Sequence, residues 1–160
     1  MNRRSQKRLW PCPACGRGFA NRNQSHACGV HDLGHHFEGK APAVLEIYAA
    51  FLAMIESFGP VIVLPEKTRI AFHVRMSFAQ LTVRKRWVLG HFVLARRLED
   101  PLFTRVETIS PRNHVHHFRL DAPGEVERLE DFAREAYAVG RQEHLTWPSP
   151  GRRAVSRPLR

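Results

Sequence analysis

From residue 61 onward the chain alternates. Across residues 67–76, Thr68, Ile70, Phe72, Val74 and Met76 take every second place, while Lys67, Arg69, Ala71, His73 and Arg75 fill the places between. A period of two is a strand, here with one apolar face and one cationic face. Similar short runs recur at 61–64, 78–83, 87–95, 103–109 and 114–120. The turn signals between them are Pro65-Glu66, the basic triplet Arg84-Lys85-Arg86, a break at 98–101 and Ser110-Pro111-Arg112-Asn113. In the run 87–95, Val88, Phe92 and Leu94 share one face, and Trp87, Leu89, His91 and Val93 the other. Gaps this short predict antiparallel neighbours rather than crossovers.

Two segments have a helical period instead. Val44, Tyr48, Phe51, Ile55 and Phe58 form a stripe in steps of four and three, with Pro42 before it and Gly59-Pro60 after it. Leu45, Ile47, Leu52 and Met54 widen the stripe, which predicts cover on more than one side. After residue 120, Asp121 suits an N-cap with acidic residues in the first turn. Val126, Leu129, Phe132, Ala133, Ala136 and Tyr137 make the buried side, and Gly140 suits the stop. The pattern predicts an α+β fold of two layers. One antiparallel sheet of five to six strands packs against an N-terminal and a C-terminal helix, and its other face is open.

With 160 residues, 43% of them hydrophobic, the chain can bury the core of one ordinary domain. The expected partition is a disordered basic arm at 1–8, a zinc knuckle at 9–30, a linker at 31–41, the α+β domain at 42–142 and a disordered basic tail at 143–160. No apolar run approaches the roughly 20 residues of a membrane helix, and no apolar segment follows the basic N-terminus. The expectation is a cytoplasmic, bacterial, non-membrane protein. Its net charge of +10 is concentrated at the two ends: residues 31–140 carry fourteen basic and fourteen acidic side chains. A polyanionic partner fits such a chain.

The N-terminal segment adds metal chemistry. All three cysteines lie within 17 residues, which reads as a metal site rather than a disulfide framework. Cys12, Cys15, His26 and Cys28 form a Cys-x2-Cys, His-x-Cys ligand set, and Gly16 stands where a knuckle needs a left-handed residue. Three thiolates and one imidazole close a tetrahedron, so the expected cofactor is structural Zn(2+). Trp10 and Phe19 supply the small apolar cap of a unit folded by its metal. His31, Asp32, His35 and His36 suggest a second metal site, but two glycines leave these side chains unpositioned, and a His-rich linker is the better reading.

The candidate anion or nucleic-acid site is the open sheet face. Alternation places Lys67, Arg69, His73 and Arg75 there, with Val115, His117 and Arg119 from the last strand. Arg84, Lys85 and Arg86 cap one end, and Trp87 or His91 offers a stacking surface. His114 and His116 fall on the opposite side from His117, which makes a metal site from that strand geometrically poor. As an acid–base group His117 has Glu107 as its candidate partner by sequence.

The segments Cys12-Pro-Ala-Cys15-Gly-Arg-Gly-Phe19, Asn23-Gln-Ser-His26-x-Cys28, His36-Phe-x-Gly-Lys40, Lys67-Thr-Arg69-Ile-Ala-Phe72 and Val115-His-His117-Phe-Arg119-Leu carry a resemblance. Together they resemble an uncharacterised bacterial family, a domain of unknown function, over about residues 9–140. The resemblance implies a zinc knuckle followed by an α+β domain and no defined activity. The leading functional expectation is nucleic-acid binding through the zinc unit, the basic tails and the sheet face. The alternative is a small anionic ligand in the sheet concavity, with the knuckle as a structural or protein-docking module. A third reading is an enzyme using His117, Arg69 and Arg119.

Overall fold

The computed structural model describes residues 6–24 and 26–147. The expected arm and tail therefore lie mostly outside the described residues. The start of the tail is structured, since Glu143–Thr146 forms a 3-10 turn whose His144 is buried.

Two short strands open the chain, β1 (Trp10–Pro11) and β2 (Gly18–Phe19), paired antiparallel. Helix α1 (Pro42–Glu56) follows, and six strands then form one sheet: β3 (Ile62–Pro65), β4 (Ile70–His73), β5 (Ser77–Val83), β6 (Val88–Leu94), β7 (Arg105–Ser110) and β8 (Asn113–Leu120). The order is β3-β4-β5-β6-β8-β7, antiparallel throughout, so β7 is an edge strand and β8 lies inside. A 3-10 stretch, Pro123–Leu129, leads into α2 (Glu130–Gly140). The architecture is the expected α+β sandwich, preceded by the cysteine cluster.

The core follows from alternation. Ile70, Phe72, Leu81, Val88, Phe92, Phe118 and Leu120 are buried on the inner face. Phe51 of α1 lies within 5.3 to 6.1 Å of the Phe72, Phe92 and Phe118 rings, centroid to centroid. Gly90 makes this stacking possible, because a Cβ there would stand 2.5 Å from the Phe118 ring. Within α1, Val44, Ile47, Tyr48, Phe51 and Ile55 are buried, but Leu45 is exposed. The helix is thus covered along one broad side rather than several.

Three local expectations give way to other contacts. The expected strand 67–76 pairs only over Ile70–His73, where the register slips between Phe72 and His73. Past that slip, Phe78 packs edge-on against Tyr137 of α2. Asp121 is not the cap of the second helix. Its carboxylate pairs with Arg119 at 2.6 Å, and the Glu125 carboxylate accepts the amides of Asp121 and Ala122 instead. Gly140 is not the left-handed stop either: that conformation falls to Gln142, with φ of 63°. Gly140 is small for another reason, as a Cβ there would stand 2.7 Å from Phe78.

Segment 31–41 is not a bare connection. Asp32 caps a 3-10 turn, Leu33–His36, by accepting the Gly34 amide at 2.8 Å. Phe37 packs against Tyr48, 5.2 Å between ring centroids, and the buried His36 lies 2.8 Å from the Glu66 carbonyl. Leu33 and Phe37 thereby extend the core beyond α1.

Candidate functional site

Two places concentrate chemistry: the cysteine cluster and the sheet face beside it. In the cluster, the hydrogen bonds Cys12 N to Arg17 O and Gly16 N to Cys12 O, both 2.8 Å, close the knuckle. Gly16 takes the left-handed conformation (φ of 72°) that the sequence anticipates. The ligand atoms of Cys12, Cys15, His26 and Cys28 all lie within 4.8 Å of one another. Cys12 Sγ is 3.8 Å from Cys28 Sγ, and His26 Nε2 is 3.4 Å from Cys15 Sγ and 3.1 Å from Cys28 Sγ. Nδ1 of His26 lies 2.6 Å from the Gln24 carbonyl. Donation to that oxygen fixes the tautomer that leaves Nε2 free to bind a metal.

The local field prepares the thiols unequally. Burial pushes Cys12 up, but hydrogen bonds from the backbone at Cys15 and Ala14 outweigh it and bring the thiol down to about 6. For Cys28, burial and the neighbouring sulfurs act together and push it up to about 11. Hydrogen bonding to the His26 ring at the Gln24 carbonyl is the main cause that raises the imidazole above its ordinary value.

The knuckle does not stand apart from the domain. Phe19 is fully buried, stacked on the His26 ring at 4.0 Å and edge-on to His73 at 5.4 Å. A unit of this size has no interior for a phenylalanine, so the ring is buried at the junction with the sheet. His73 is 2% exposed, and its Nε2 lies 3.4 Å from the Gly18 carbonyl. The face expected to be open is therefore covered at its β4 end, and His73 is part of that junction. Burial lowers the His73 pKa, which keeps the ring neutral under the knuckle.

Beyond the junction the same face is concave. A cavity of about 900 Å³ lies between the Leu33–His36 turn and the sheet, with Lys40, Lys67, Arg69, Arg84, Gln80 and His117 among its lining residues. Of the sequence-predicted residues, Lys67, Arg69, Arg84 and His117 come together here. Others do not. Arg75 sits in the β4–β5 turn, where it donates to the Gln142 side chain and to the Lys7 carbonyl, away from the cavity. The register slip that ends β4 at His73 is what turns it aside. Lys85 and Arg86 are exposed in the β5–β6 turn outside the lining, and the Lys85 carbonyl accepts the amide of Ala41, just before α1. Arg119 lies 4.4 Å over the Trp87 ring and pairs with Asp121.

Pairing separates the cations by availability. Arg69 is tied to Glu66 at 2.5 Å, and Lys40 donates to the Val83 carbonyl at 2.7 Å. Burial, then Arg84, lowers the Lys40 pKa. Lys67 and Arg84 make no ion pair among the described residues.

Glu107 is in place as the partner of His117, with Oε2 2.8 Å from Nε2, and Arg105 holds the other carboxylate oxygen at 3.1 Å. The His117 hydrogen bond is the main cause that holds the Glu107 carboxyl below its ordinary value. His91 lies edge-on to His117 at 5.3 Å, and burial pushes it down to about 4. His114 and His116 are buried on the inner side, as alternation requires. Among the described residues, the cysteine cluster is the one group of three or more His, Cys, Asp or Glu donors close enough for a single ion. His35 pairs instead with Glu38, and His36 turns inward.

Sequence reasoning missed Lys40, Gln80 and Thr82 as lining residues. A signal was present for two of them: Gln80 and Thr82 are polar positions that alternate with buried Ala79, Leu81 and Val83. Lys40 stands in the motif His36-Phe-x-Gly-Lys40, but its place at the concavity depends on how the preceding turn folds back.

A two-layer α+β domain with a Cys3His cluster on its uncovered side defines the class. Over residues 33–140 the chain matches the family described as Domain of unknown function (DUF5655), and it belongs to that family. The match begins at the Leu33 turn and leaves the knuckle outside. No curated protein and no solved structure matches the chain. Among the described residues no helix is long and apolar enough to cross a membrane.

Proposed function

We propose that the protein binds an anionic ligand in the sheet concavity, and that a structural Zn(2+) in the Cys12–Cys15–His26–Cys28 site holds the knuckle against one end of it. The observation that carries this reading is the convergence of Lys67 and Arg84, without carboxylate partners among the described residues, on a cavity of about 900 Å³. That is within the size range of clefts that small ligands occupy. Cations brought together without counter-ions repel each other, and an anion relieves that repulsion.

The donor geometry supports zinc. A tetrahedral Zn–S length of about 2.3 Å implies sulfur–sulfur edges of about 3.8 Å. The Cys12–Cys28 separation is 3.8 Å. With four protein donors the site is closed, so its role is structural. Metal analysis of the purified protein should give about one equivalent of zinc; a folded knuckle without metal would refute the assignment.

For the concavity, thermal shift and titration calorimetry with inorganic phosphate, pyrophosphate and citrate provide the test. At least one should stabilise the wild type and not the double variant Lys67→Ala/Arg84→Ala. If none binds at low salt, the concavity is not an anion site.

Nucleic acid is the second reading. It is favoured by the exposed Arg84-Lys85-Arg86 turn beside the stacked Arg119–Trp87 pair. It requires binding of labelled single strands or duplexes that weakens steeply with salt and with triple alanine substitution of that turn.

A further inference from the structure

A second cavity of about 490 Å³ lies between the knuckle and the sheet, and it shares Glu66, Arg69 and Gln80 with the concavity. We infer that the two form one groove and that its ligand is a nucleoside monophosphate, with phosphate at the Lys67–Arg84 end and base at the knuckle end. This rests on the anion-binding reading and goes further by naming the ligand class.

The two ends differ in chemistry. The far end carries Lys67 and Arg84, which make no ion pair among the described residues. The knuckle end adds no basic side chain beyond Arg69 and His26: Phe19, Leu64 and Met76 are apolar, and Ser77 and Gln80 are neutral hydrogen-bonding groups. A ligand that fills both ends is charged at one end only, and its other end is flat or apolar with polar edges.

The junction narrows the choice. Glu66 holds Nε of Arg69, which fixes one edge of the guanidinium and leaves the side chain half exposed. A guanidinium held in that way offers a planar face for stacking. Gln80 makes no side-chain hydrogen bond among the described residues. Its amide presents a donor and an acceptor side by side, which is how a primary amide reads the edge of a base. An oligophosphate leaves the neutral end empty. An acyl chain covers the Gln80 amide without pairing it, which is unfavourable. A base on a phosphorylated sugar answers both ends.

The experiment is titration calorimetry of the full, metal-loaded chain with ribose 5-phosphate and with the four nucleoside 5′-monophosphates. At least one nucleotide should bind about tenfold or more tighter than ribose 5-phosphate, the increment expected of one stacked and hydrogen-bonded base. Gln80→Ala should remove that preference, whereas Lys67→Ala/Arg84→Ala should weaken nucleotide and ribose 5-phosphate alike. Gln80 lies on the outer face of its strand, so the variant should melt like the wild type. Equal affinity for nucleotides and ribose 5-phosphate overturns the base assignment and leaves the anion site standing. A nucleotide preference that survives in Gln80→Ala overturns it as well. If no phosphate-bearing probe binds, the anion site itself fails.

Discussion

The two faces of the sheet are made from alternate residues of the same strands, yet they are covered by different means. On the inner side, Phe51 sits against Phe72, Phe92 and Phe118 under α1, and the cover is a continuous apolar core. On the outer side the cover is partial: a Cys3His knuckle presses Phe19 onto His73, and the Leu33–His36 turn faces it across a groove. Close packing leaves no room for a ligand, and a gap can persist only where something other than a core fixes its walls. In this protein the Cys3His unit fixes one wall and a capped turn the other.

The comparison is broken most severely from the inner side. Phe51→Ala should cost about 3–5 kcal/mol of folding free energy in urea, because three aromatic neighbours lose their partner and a cavity remains. Metal content should stay at about one equivalent. If the knuckle loses its metal together with this change, the two faces are not independent.

Next in size is acid. The folded His91 titrates near 4 against 6.5 for the ordinary group, so the unfolded chain binds its proton first. Stability is then complete above pH 6.5 and declines as pH falls toward 4, by about 3 kcal/mol from this one group. His91→Gln should flatten that part of the pH profile of urea midpoints. An unchanged slope would mean that the remaining buried histidines carry the acid sensitivity.

Smallest is the effect of the knuckle on the sheet. Cys15→Ser should abolish metal binding, yet lower the stability of the sandwich by only about 2 kcal/mol, the value of one buried phenylalanine. Amide exchange should quicken in residues 10–28 and beside His73, and stay slow around Phe92. Global unfolding of the variant would show instead that the knuckle is an integral part of the core.

Much of this was legible without coordinates. The period of two in the strands, the stripe of α1 and the spacing of Cys12, Cys15, His26 and Cys28 are local properties, and geometry at that range follows from sequence. The face of each of Val88, Leu89, His91, Phe92, Phe118 and Arg119 follows from counting. What failed were statements about partners. Asp121 looks like a cap and is an ion-pair partner, Gly140 looks like a stop and makes room for Phe78, and Arg75 has the right parity but lies beyond a register slip.

The sequence by itself determined the α+β sandwich, the ligand set of the knuckle and the excess of positive charge. Only the tertiary structure decided that β8 lies between β6 and β7, that the knuckle docks on His73, and that Arg75 turns away from the concavity to Gln142. The division has a physical cause. Periodicity and ligand spacing act over a few residues, whereas the company a charged or aromatic side chain keeps depends on which distant segments the collapsed chain brings beside it.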